Sequence, residues 1–476
     1  MKNEKKPIYG GQALKGGSYS LALTAVVLAI LIVVNLFASI LPTTRTKFDI
    51  SASKLYSITS NTKAVVNNLQ QDVTIYWIVQ ADQEDSIIEN LLGKYESLSP
   101  RIDVVKKNPD VFPTFTEQYT DEDVPNNSLI VESGDRSRYV SYNDIYLVDS
   151  DLYSYSYTTS FDGEGAITSA IDYVVTEELP QLYVLEGHGE AELPATFADA
   201  IDKENIVVNP LSLLNVDEVP EDAACLAIYA PQSDISEKEA QMLMDYTDNG
   251  GKLLVMAGPV EGTALTNLNS LLSHYGVSTA EGIVVESDRS YYAFGYPYVL
   301  MPDMVSSDIT DSLIEERYYP IFPIAQGLRI DSSSADITEL LTTSYFSFSK
   351  VAGFGLDTYE MEEGDIEGPF TVGVSIATEG DGQLVWFSAS GFLSDMYNAY
   401  SSGANVDLAM NALSSLMGQR EAIAIRSKSL NYNYLTISDS TASVLKTLMI
   451  GVFPLAYLGV GIAVMVTKRR KQNEAV

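Results

Sequence analysis

The stretch that looks most capable of chemistry is LEGHGE, residues 185–190. It places Glu186, His188 and Glu190 at alternate positions, with Gly187 and Gly189 between them. The chain has only two histidines. A histidine flanked by carboxylates is typical of metal sites and of general acid–base catalysis. The stretch therefore raises a choice between a reactive cluster and a turn that only resembles one.

The residue types around this stretch favour the turn. A structural zinc ion needs about four ligands and a catalytic one about three. The other histidine, His274, lies in the helix-like segment LLSHYG, where a surface position is expected. Two glycines indicate a sharp turn or a positive φ, so the alternation need not bring the three side chains to one face. We predict no metal ion and no catalytic residue here.

Other reactive groups are also missing from the sequence pattern. Cys225 is the only cysteine and lies within the apolar segment AACLAIYA, so a buried core position is expected. The segment SASG (388–391) follows a strand pattern but is not the GxSxG elbow of a serine hydrolase. The segment DNGGKLL lacks the residue order of a phosphate-binding loop. We predict no ATPase activity, no other enzymatic activity and no cofactor.

Two long apolar runs indicate membrane spans, at 20–41 and 447–467. A cleaved signal peptide would have a shorter apolar core, so an uncleaved anchor is favoured. Basic residues precede the first run and follow the second, and positive charge beside a span stays in the cytoplasm. The prediction is a two-pass protein of the cell membrane. Its tails, 1–19 and 468–476, are cytoplasmic, and the domain between the spans is extracytoplasmic.

The part between the spans is strongly acidic. It keeps all but two of the 64 acidic residues and all but nine of the 29 basic residues, which gives a net charge close to −42. Such a charge excludes nucleic acid and anionic lipid as favoured partners, since both are negative. With one cysteine no intramolecular disulfide can form, which is ordinary for an extracytoplasmic bacterial domain.

The order of apolar patterns predicts two α/β domains outside the membrane. Residues 42–164 contain a strand, helix and strand in sequence and then a hairpin closed around Gly134, which indicates a small α/β domain. Residues 165–430 alternate apolar strands with helices, which predicts a doubly wound parallel sheet covered on both faces. Within it, 288–345 is aromatic and turn-rich and is interpreted as an insertion or long loop, and 431–446 is a juxtamembrane segment.

In a doubly wound sheet, ligands bind where loops leave the carboxyl ends of the strands. LEGHGE follows the strand pattern LYVL and precedes a helix pattern, so it lies at that edge. We predict a ligand- or partner-binding loop formed by Glu186, Gly187, His188, Gly189 and Glu190.

Several motifs, in this order along the chain, resemble those of the GldG family, the auxiliary component of an ABC-type transport system first associated with gliding motility. They are KFDISASKLYSITSNTKAVVNNLQQDVTIYWI, FDGEGAITSAIDYVV, YVLEGHGEAEL, YAPQSDISEKEAQMLMDYTDNGGKLLVMAGP and WFSASGFLSD. By this resemblance, Glu164 in FDGEG joins the 186–190 loop as a candidate binding residue, and Gly250 and Gly251 match the end of the long helix. The segment 288–345 matches nothing in the family.

The resemblance implies a non-enzymatic extracytoplasmic subunit that accompanies a membrane permease and a separate cytoplasmic ATPase. An alternative remains open, namely a membrane-anchored hydrolase or carbohydrate-binding domain that uses the 186–190 loop. This alternative includes a paired-carboxylate glycosidase. The spacing of the acidic residues does not exclude one, because chance pairs are common among so many acids. A signalling ectodomain is disfavoured because only about ten residues follow the second span, too few for an output domain.

Overall fold

The computed structural model describes residues 25–33, 57–151, 156–330, 336–418, 425, 427–430, 443–444 and 446–473. Residue contacts divide the chain into two units. The first contains Ile58–Tyr146 and Asp162–Ser427, and Met1–Lys47 is assigned to it as well. The second contains Phe48–Ser57, Leu147–Phe161 and Lys428–Val476.

The described helices are α1 (Ser60–Asn67), α2 (Ser86–Leu98), α3 (Tyr142–Ile145), α4 (Gly163–Val175), α5 (Ala195–Lys203), α6 (Glu237–Asp248), α7 (Thr266–His274), α8 (Asp311–Glu316), α9 (Asp395–Tyr400), α10 (Ala404–Leu416) and α11 (Phe453–Asn473). The described strands are β1 (Val73–Ile78), β2 (Ile102–Lys107), β3 (Ser128–Ser133), β4 (Arg136–Val140), β5 (Tyr146–Asp151), β6 (Ser156–Phe161), β7 (Gln181–Leu185), β8 (Val207–Leu211), β9 (Ala223–Tyr229), β10 (Lys252–Met256), β11 (Val277–Thr279), β12 (Ile283–Glu286), β13 (Val299–Leu300), β14 (Asp303–Met304), β15 (Phe322–Pro323), β16 (Leu328–Ile330), β17 (Asp336–Thr342), β18 (Ser347–Lys350), β19 (Ile366–Glu367), β20 (Thr371–Ala377), β21 (Gln383–Phe387) and β22 (Lys428–Ser429).

A small sheet in the first unit has the strand order β2-β1-β3-β4. Strand β1 pairs parallel with β2 and antiparallel with β3, and β3 and β4 form the predicted hairpin. The turn of this hairpin contains Gly134 at φ +58°, which suits glycine. The α/β character expected for this region is confirmed, while the predicted domain limits stay predictions.

The large sheet of the first unit is parallel over five strands, in the order β8-β7-β9-β10-β21. Along β10, Leu254 and Met256 pack into the core on the side of α5 and α10, whereas Leu253 and Val255 pack on the side of α6 and α7. Both sides of the strand are apolar because both faces are covered by helices. The predicted α/β class is confirmed, and in these five strands the sheet is parallel as expected.

The rest of the large sheet departs from the prediction of a parallel sheet. Strand β20 pairs antiparallel with β21, and β16 and β17 pair antiparallel with β20. Only residues 378–382 separate β20 from β21, with Gly380 at φ +83°. A parallel pair needs a crossover of a dozen or more residues, so this short connection requires an antiparallel pair.

The segment 288–345 was interpreted from sequence as an insertion or long loop, and its described residues, 288–330 and 336–345, form short elements. It contains β13, β14, β15 and α8, and it supplies β16 and β17 to the large sheet. Helix α10 packs against the same side of the sheet as Phe322 from this segment. The segment is therefore part of the first unit's core rather than a loop outside it.

In the second unit, β5, β6 and β22 form a sheet with the order β22-β6-β5. The same unit contains Leu448–Thr467, within the described residues the one helical stretch long and apolar enough to cross a membrane, with a mean hydropathy of 2.2. Its position agrees with the predicted second span. Of the predicted first span, 25–33 is described and helical, while 20–24 and 34–41 lie outside the described residues, as do 1–19 and most of 431–446.

Candidate binding loop and its clasp

The 186–190 loop leaves the carboxyl end of β7, between the parallel neighbours β8 and β9. Glu186 N donates to Leu211 O at 2.9 Å, which extends the pairing with β8 by one residue. Gly187 and Gly189 both have positive φ, +122° and +75°. A Cβ at Gly189 would lie 3.2 Å from Gln232 Cβ, so the limited space also favours glycine at this position. The sharp turn expected from the two glycines is present.

His188 is buried between two carboxylates. Its Nδ1 lies 3.1 Å from Glu190 Oε1, and its Nε2 lies 3.2 Å and 3.3 Å from the two oxygens of Glu239. The three side chains are at most 8% exposed. Each ring nitrogen of His188 thus faces a carboxylate, and ionised carboxylates accept hydrogen bonds. We call His188, Glu190 and Glu239 the clasp.

Glu239 belongs to the first turn of α6, and its position there follows from the sequence. Ser236 Oγ accepts from Glu239 N at 3.3 Å, and Glu239 Oε2 accepts from Ser236 N at 2.8 Å, which is a capping box. Burial raises the pKa of Glu239, but the hydrogen bonds from Ser236 and the charge of His188 outweigh it and hold this pKa below its usual range. The clasp therefore joins the 186–190 loop to the start of α6.

The main chain strengthens the same junction. His188 O accepts from Gln232 N at 3.0 Å, from Ser233 N at 2.9 Å and from Ser233 Oγ at 3.0 Å. Gln232 and Ser233 follow β9, so the loop is fastened across the carboxyl ends of two adjacent strands. Within the predicted site, Glu186 is the carboxylate that stays exposed to solvent. In this geometry His188 has a structural role, and Glu186 is available for contact with another molecule.

We expect the clasp to lose stability in acid. Because the folded pKa of Glu239 lies below its ordinary value of 4.5, its ionised form stabilises the fold above that value, and this contribution is lost as the pH falls through the folded pKa. A Glu239→Gln variant lacks the contribution, so the free energies of unfolding of the variant and the native protein should converge below pH 4.5. Urea unfolding at a series of pH values measures this. A difference that stays constant with pH would contradict it.

Glu164, the remaining candidate from sequence, lies in a separate buried cluster at the first turn of α4. Its Oε1 accepts from Thr59 N at 2.7 Å and from the hydroxyls of Thr59 and Thr62 at 2.8 Å each. Tyr95 Oη donates to Glu164 O at 3.0 Å. The carboxylate thus ties α1 to α4, and the main-chain carbonyl of Glu164 ties α2 to α4. None of these contacts reaches the 186–190 loop, so the structure does not bring Glu164 and the loop into one site.

The other residues singled out from sequence have structural positions. Gly250 has φ +98°, and a Cβ at Gly251 would lie 2.5 Å from Tyr246 O, so both glycines are required where α6 turns into β10. Cys225 is fully buried, and burial raises the pKa of its thiol far above the usual range. His274 is on the surface, with Nε2 3.0 Å from Asp248 Oδ2. In the described part of the chain, no group of three or more His, Cys, Asp or Glu residues is arranged to hold a metal ion.

Residues 179–294 match the model of a family described as an ABC-type uncharacterized transport system. The match supports an ABC transport auxiliary protein. We call this stretch the auxiliary segment. Residues 52–147 match a second model, described as a domain of unknown function. The comparison with curated proteins found no match.

Among solved structures, the similarities are remote. The mmIFT52 N-terminal domain is 18% identical, with 50% of this chain and 97% of that chain covered and a TM-score of 0.37. The exo-beta-1,4-mannosidase Op5Man5 from Opitutaceae bacterium strain TAV5 is 10% identical, with 69% and 48% covered and a TM-score of 0.28. A glutamine amidotransferase from Thermotoga maritima is 9% identical, with 51% and 99% covered and a TM-score of 0.29. Likenesses this low carry no argument about what the chain binds or does.

The auxiliary segment contains the whole clasp, from β7 through α6, and it ends within 288–345. Six residues after Glu190, Thr196 lies near the start of α5. Its N and Oγ1 donate to Asp395 Oδ1 at 3.1 Å and 2.8 Å, which fixes the start of α5 against the start of α9. The clasp and this contact lie on loops that follow parallel strands. The auxiliary segment therefore supplies four of the five parallel strands, β7 to β10, and the loops at their carboxyl ends.

Sequence reasoning missed a cleft in the first unit that the 186–190 loop does not line. Its volume is about 710 Å³, and residues between Asp288 and Thr371 line it. A second cleft of about 600 Å³ lies beside α6 and includes Gly250 and Gly251. Of the aromatic residues in 288–301, only Tyr291 lines the first cleft, so the composition of that stretch does not predict it.

Proposed function

We propose that the chain is a membrane-anchored auxiliary subunit of an ABC-type transport system that binds a partner protein or a substrate outside the membrane. The observation that carries this proposal is the match of residues 179–294 to the family model. The matched stretch is the part of the sheet whose carboxyl edge is fixed by the clasp. Open α/β sheets bind ligands at the carboxyl ends of their strands.

The finer parts of the proposal rest on the sequence. We place the chain in the GldG family, with both termini in the cytoplasm and the acidic domain outside the cell. The apolar helical stretch Leu448–Thr467 and the basic residues after it support the second span. With no phosphate-binding loop in the sequence, ATP hydrolysis falls to a separate cytoplasmic subunit that works with a permease.

The test of the proposal is co-purification from membranes of the source organism. A tagged full-length chain solubilised in mild detergent should bring down a multi-span permease and an ATPase in fixed proportion. Glu186→Ala should weaken this association if the exposed loop carboxylate contacts the partner, whereas His274→Ala, far along the chain and on the surface, serves as the control. Recovery of the chain alone, from membranes where the other two subunits are present and intact, would contradict the proposal.

Orientation is tested on the same protein by cysteine labelling. Cys225 is buried, so it gives little background with an impermeant thiol reagent. Single cysteines introduced at Gly16 and Gln472 should react only after the membrane is permeabilised, while one at the exposed Glu186 should react in intact cells. Reaction of either terminal position in intact cells would contradict the proposed orientation.

A further inference from the structure

The cleft of about 710 Å³ in the first unit has the size of a small-molecule site. The lining includes the charged residues Asp288, Asp303, Arg329 and Glu339 and the aromatic residues Tyr345 and Phe346. Asp303, Arg329 and Glu339 lie on β14, β16 and β17, Tyr345 and Phe346 lie on the turn after β17, and Asp288 precedes β13. The walls therefore rest on paired strands, which hold the lining side chains in place.

The charges in this cleft are unbalanced. Asp288, Asp303 and Glu339 line it, and Arg329 is the one basic residue among the lining residues. The guanidinium of Arg329 is already engaged, since Nη2 donates to Glu367 O at 2.5 Å and the group lies 5.4 Å from the centre of the Phe370 ring.

The three carboxylates keep acceptor capacity for a ligand. Tyr291 Oη donates to Asp303 Oδ2 at 2.9 Å, and Thr371 Oγ1 donates to Glu339 Oε2 at 2.5 Å. These neutral donors orient the carboxylates without neutralising them. Within the described part of the chain, none of the three forms an ion pair. The cleft therefore carries a surplus of negative charge.

Two aromatic rings project at the rim. Tyr345 and Phe346 are 85% and 68% exposed, which is unusual for large aromatic side chains. Hydrogen bonds to a buried carboxylate stabilise the turn that carries them. Glu286 accepts from Ser344 N at 2.8 Å and from Ser344 Oγ at 2.7 Å. The rings are thus presented to solvent on a fixed turn beside the carboxylates.

We propose that this cleft binds a small organic cation, an alkylammonium or guanidinium compound. Asp303 and Glu339 supply the opposite charge, and Tyr345 and Phe346 supply ring faces that attract a cation. An anionic ligand is disfavoured by the surplus of negative charge. The proposal goes beyond the transport role and does not depend on it, since binding is measured on the isolated chain.

The test uses the full-length chain in detergent at about 150 mM salt, where long-range attraction between exposed charges is screened. Spermidine is the probe, and calorimetry measures its dissociation constant. We expect the double variant Asp303→Asn/Glu339→Gln to bind at least about tenfold more weakly, and Tyr345→Ala/Phe346→Ala about threefold to tenfold more weakly, as expected for lost charge pairing and lost cation–π contact. Glu218→Gln removes a carboxylate from the second cleft and should leave binding unchanged.

Two outcomes would overturn the proposal. If Glu218→Gln weakens binding as much as the cleft variants, spermidine is attracted by the acidic surface as a whole and not by this cleft. If the native chain binds an uncharged sugar such as maltotriose in a manner lost in Tyr345→Ala/Phe346→Ala while spermidine does not bind, the rings stack on sugar and the ligand class is wrong. Neither result bears on co-purification with a permease, so the two proposals fail separately.

Discussion

Replacing His188 with alanine is expected to lower the free energy of unfolding of the first unit by about 3 to 5 kcal/mol. The change leaves Glu190 and Glu239 facing each other, 5% and 3% exposed, without the imidazole between them. Removing one partner of a buried charge pair costs much more than the pair contributes, because an uncompensated charge stays buried. Urea unfolding followed by circular dichroism measures the change.

The second histidine supplies a matched control. His274 also lies 3.0 Å from a carboxylate, but both side chains are 42% exposed. Exposed ion pairs contribute about 0 to 1 kcal/mol, so His274→Ala should change the free energy of unfolding by less than about 1 kcal/mol. The double variant His188→Ala/Glu239→Gln should be more stable than His188→Ala alone, since it removes one of the two buried carboxylate charges that face each other. Equal costs for the two histidine variants would contradict the clasp.

The same variants separate the structural reading of LEGHGE from the alternative of an anchored hydrolase or carbohydrate-binding domain. The clasp predicts that His188→Ala loses stability, and that binding falls only as far as the fold is lost. The alternative predicts an intact fold with activity or sugar binding abolished. Unfolding and binding measured on one preparation distinguish these patterns.

Local signals explain the parts of the fold that the sequence analysis placed correctly. Helix α6 carries its own start and stop, with Ser236 and Glu239 forming the capping box and Gly250 after its end. The turn at Gly187 and Gly189 was likewise expected from glycine alone. These features depend on residues close together in sequence, so their spacing is sufficient to predict them.

The contact between His188 and Glu239 joins residues that are distant in sequence, so it could not be predicted from local spacing. Glu239 lies 51 positions from His188, and its capping role already accounted for its presence. The pairing follows from the parallel arrangement of β7 and β9, which brings the loops after these strands together. The spacing of residues along the chain does not predict that the two loops come into contact.

The antiparallel half of the sheet and the cleft were missed for a related reason. Strands β14 and β16 are two and three residues long, and a periodicity of two cannot be recognised in so short a run. Asp303 and Glu339 are 36 positions apart in a chain with 64 acidic residues, so no pattern distinguishes them. Only the pairing of β14 with β17 brings them to one cleft.

Glu164 is a further case in which the fold decides the role. The resemblance to the GldG family marked this residue as a candidate binding group, whereas the structure places its side chain at 2% exposure. A carboxylate in the first turn of a helix is favoured by the helix dipole, and here it also accepts three hydrogen bonds from α1 and its cap. Its position indicates that it joins elements of the first unit.

Replacing Glu164 with alanine is therefore expected to cost about 3 kcal/mol, because Thr59 N and two threonine hydroxyls lose a charged acceptor in a buried site. Glu164→Gln keeps one oxygen and should cost about 1 kcal/mol. Glu237 is an exposed acid in the first turn of α6, so Glu237→Ala reports the helix-dipole effect alone, expected at about 0.5 kcal/mol. Hydrogen exchange gives the readout specific to the contact: in Glu164→Ala, amides of α1 should lose protection before those of the large sheet. If Glu164→Ala and Glu237→Ala cost the same and α1 stays protected, the buried acceptor does not hold α1 in place.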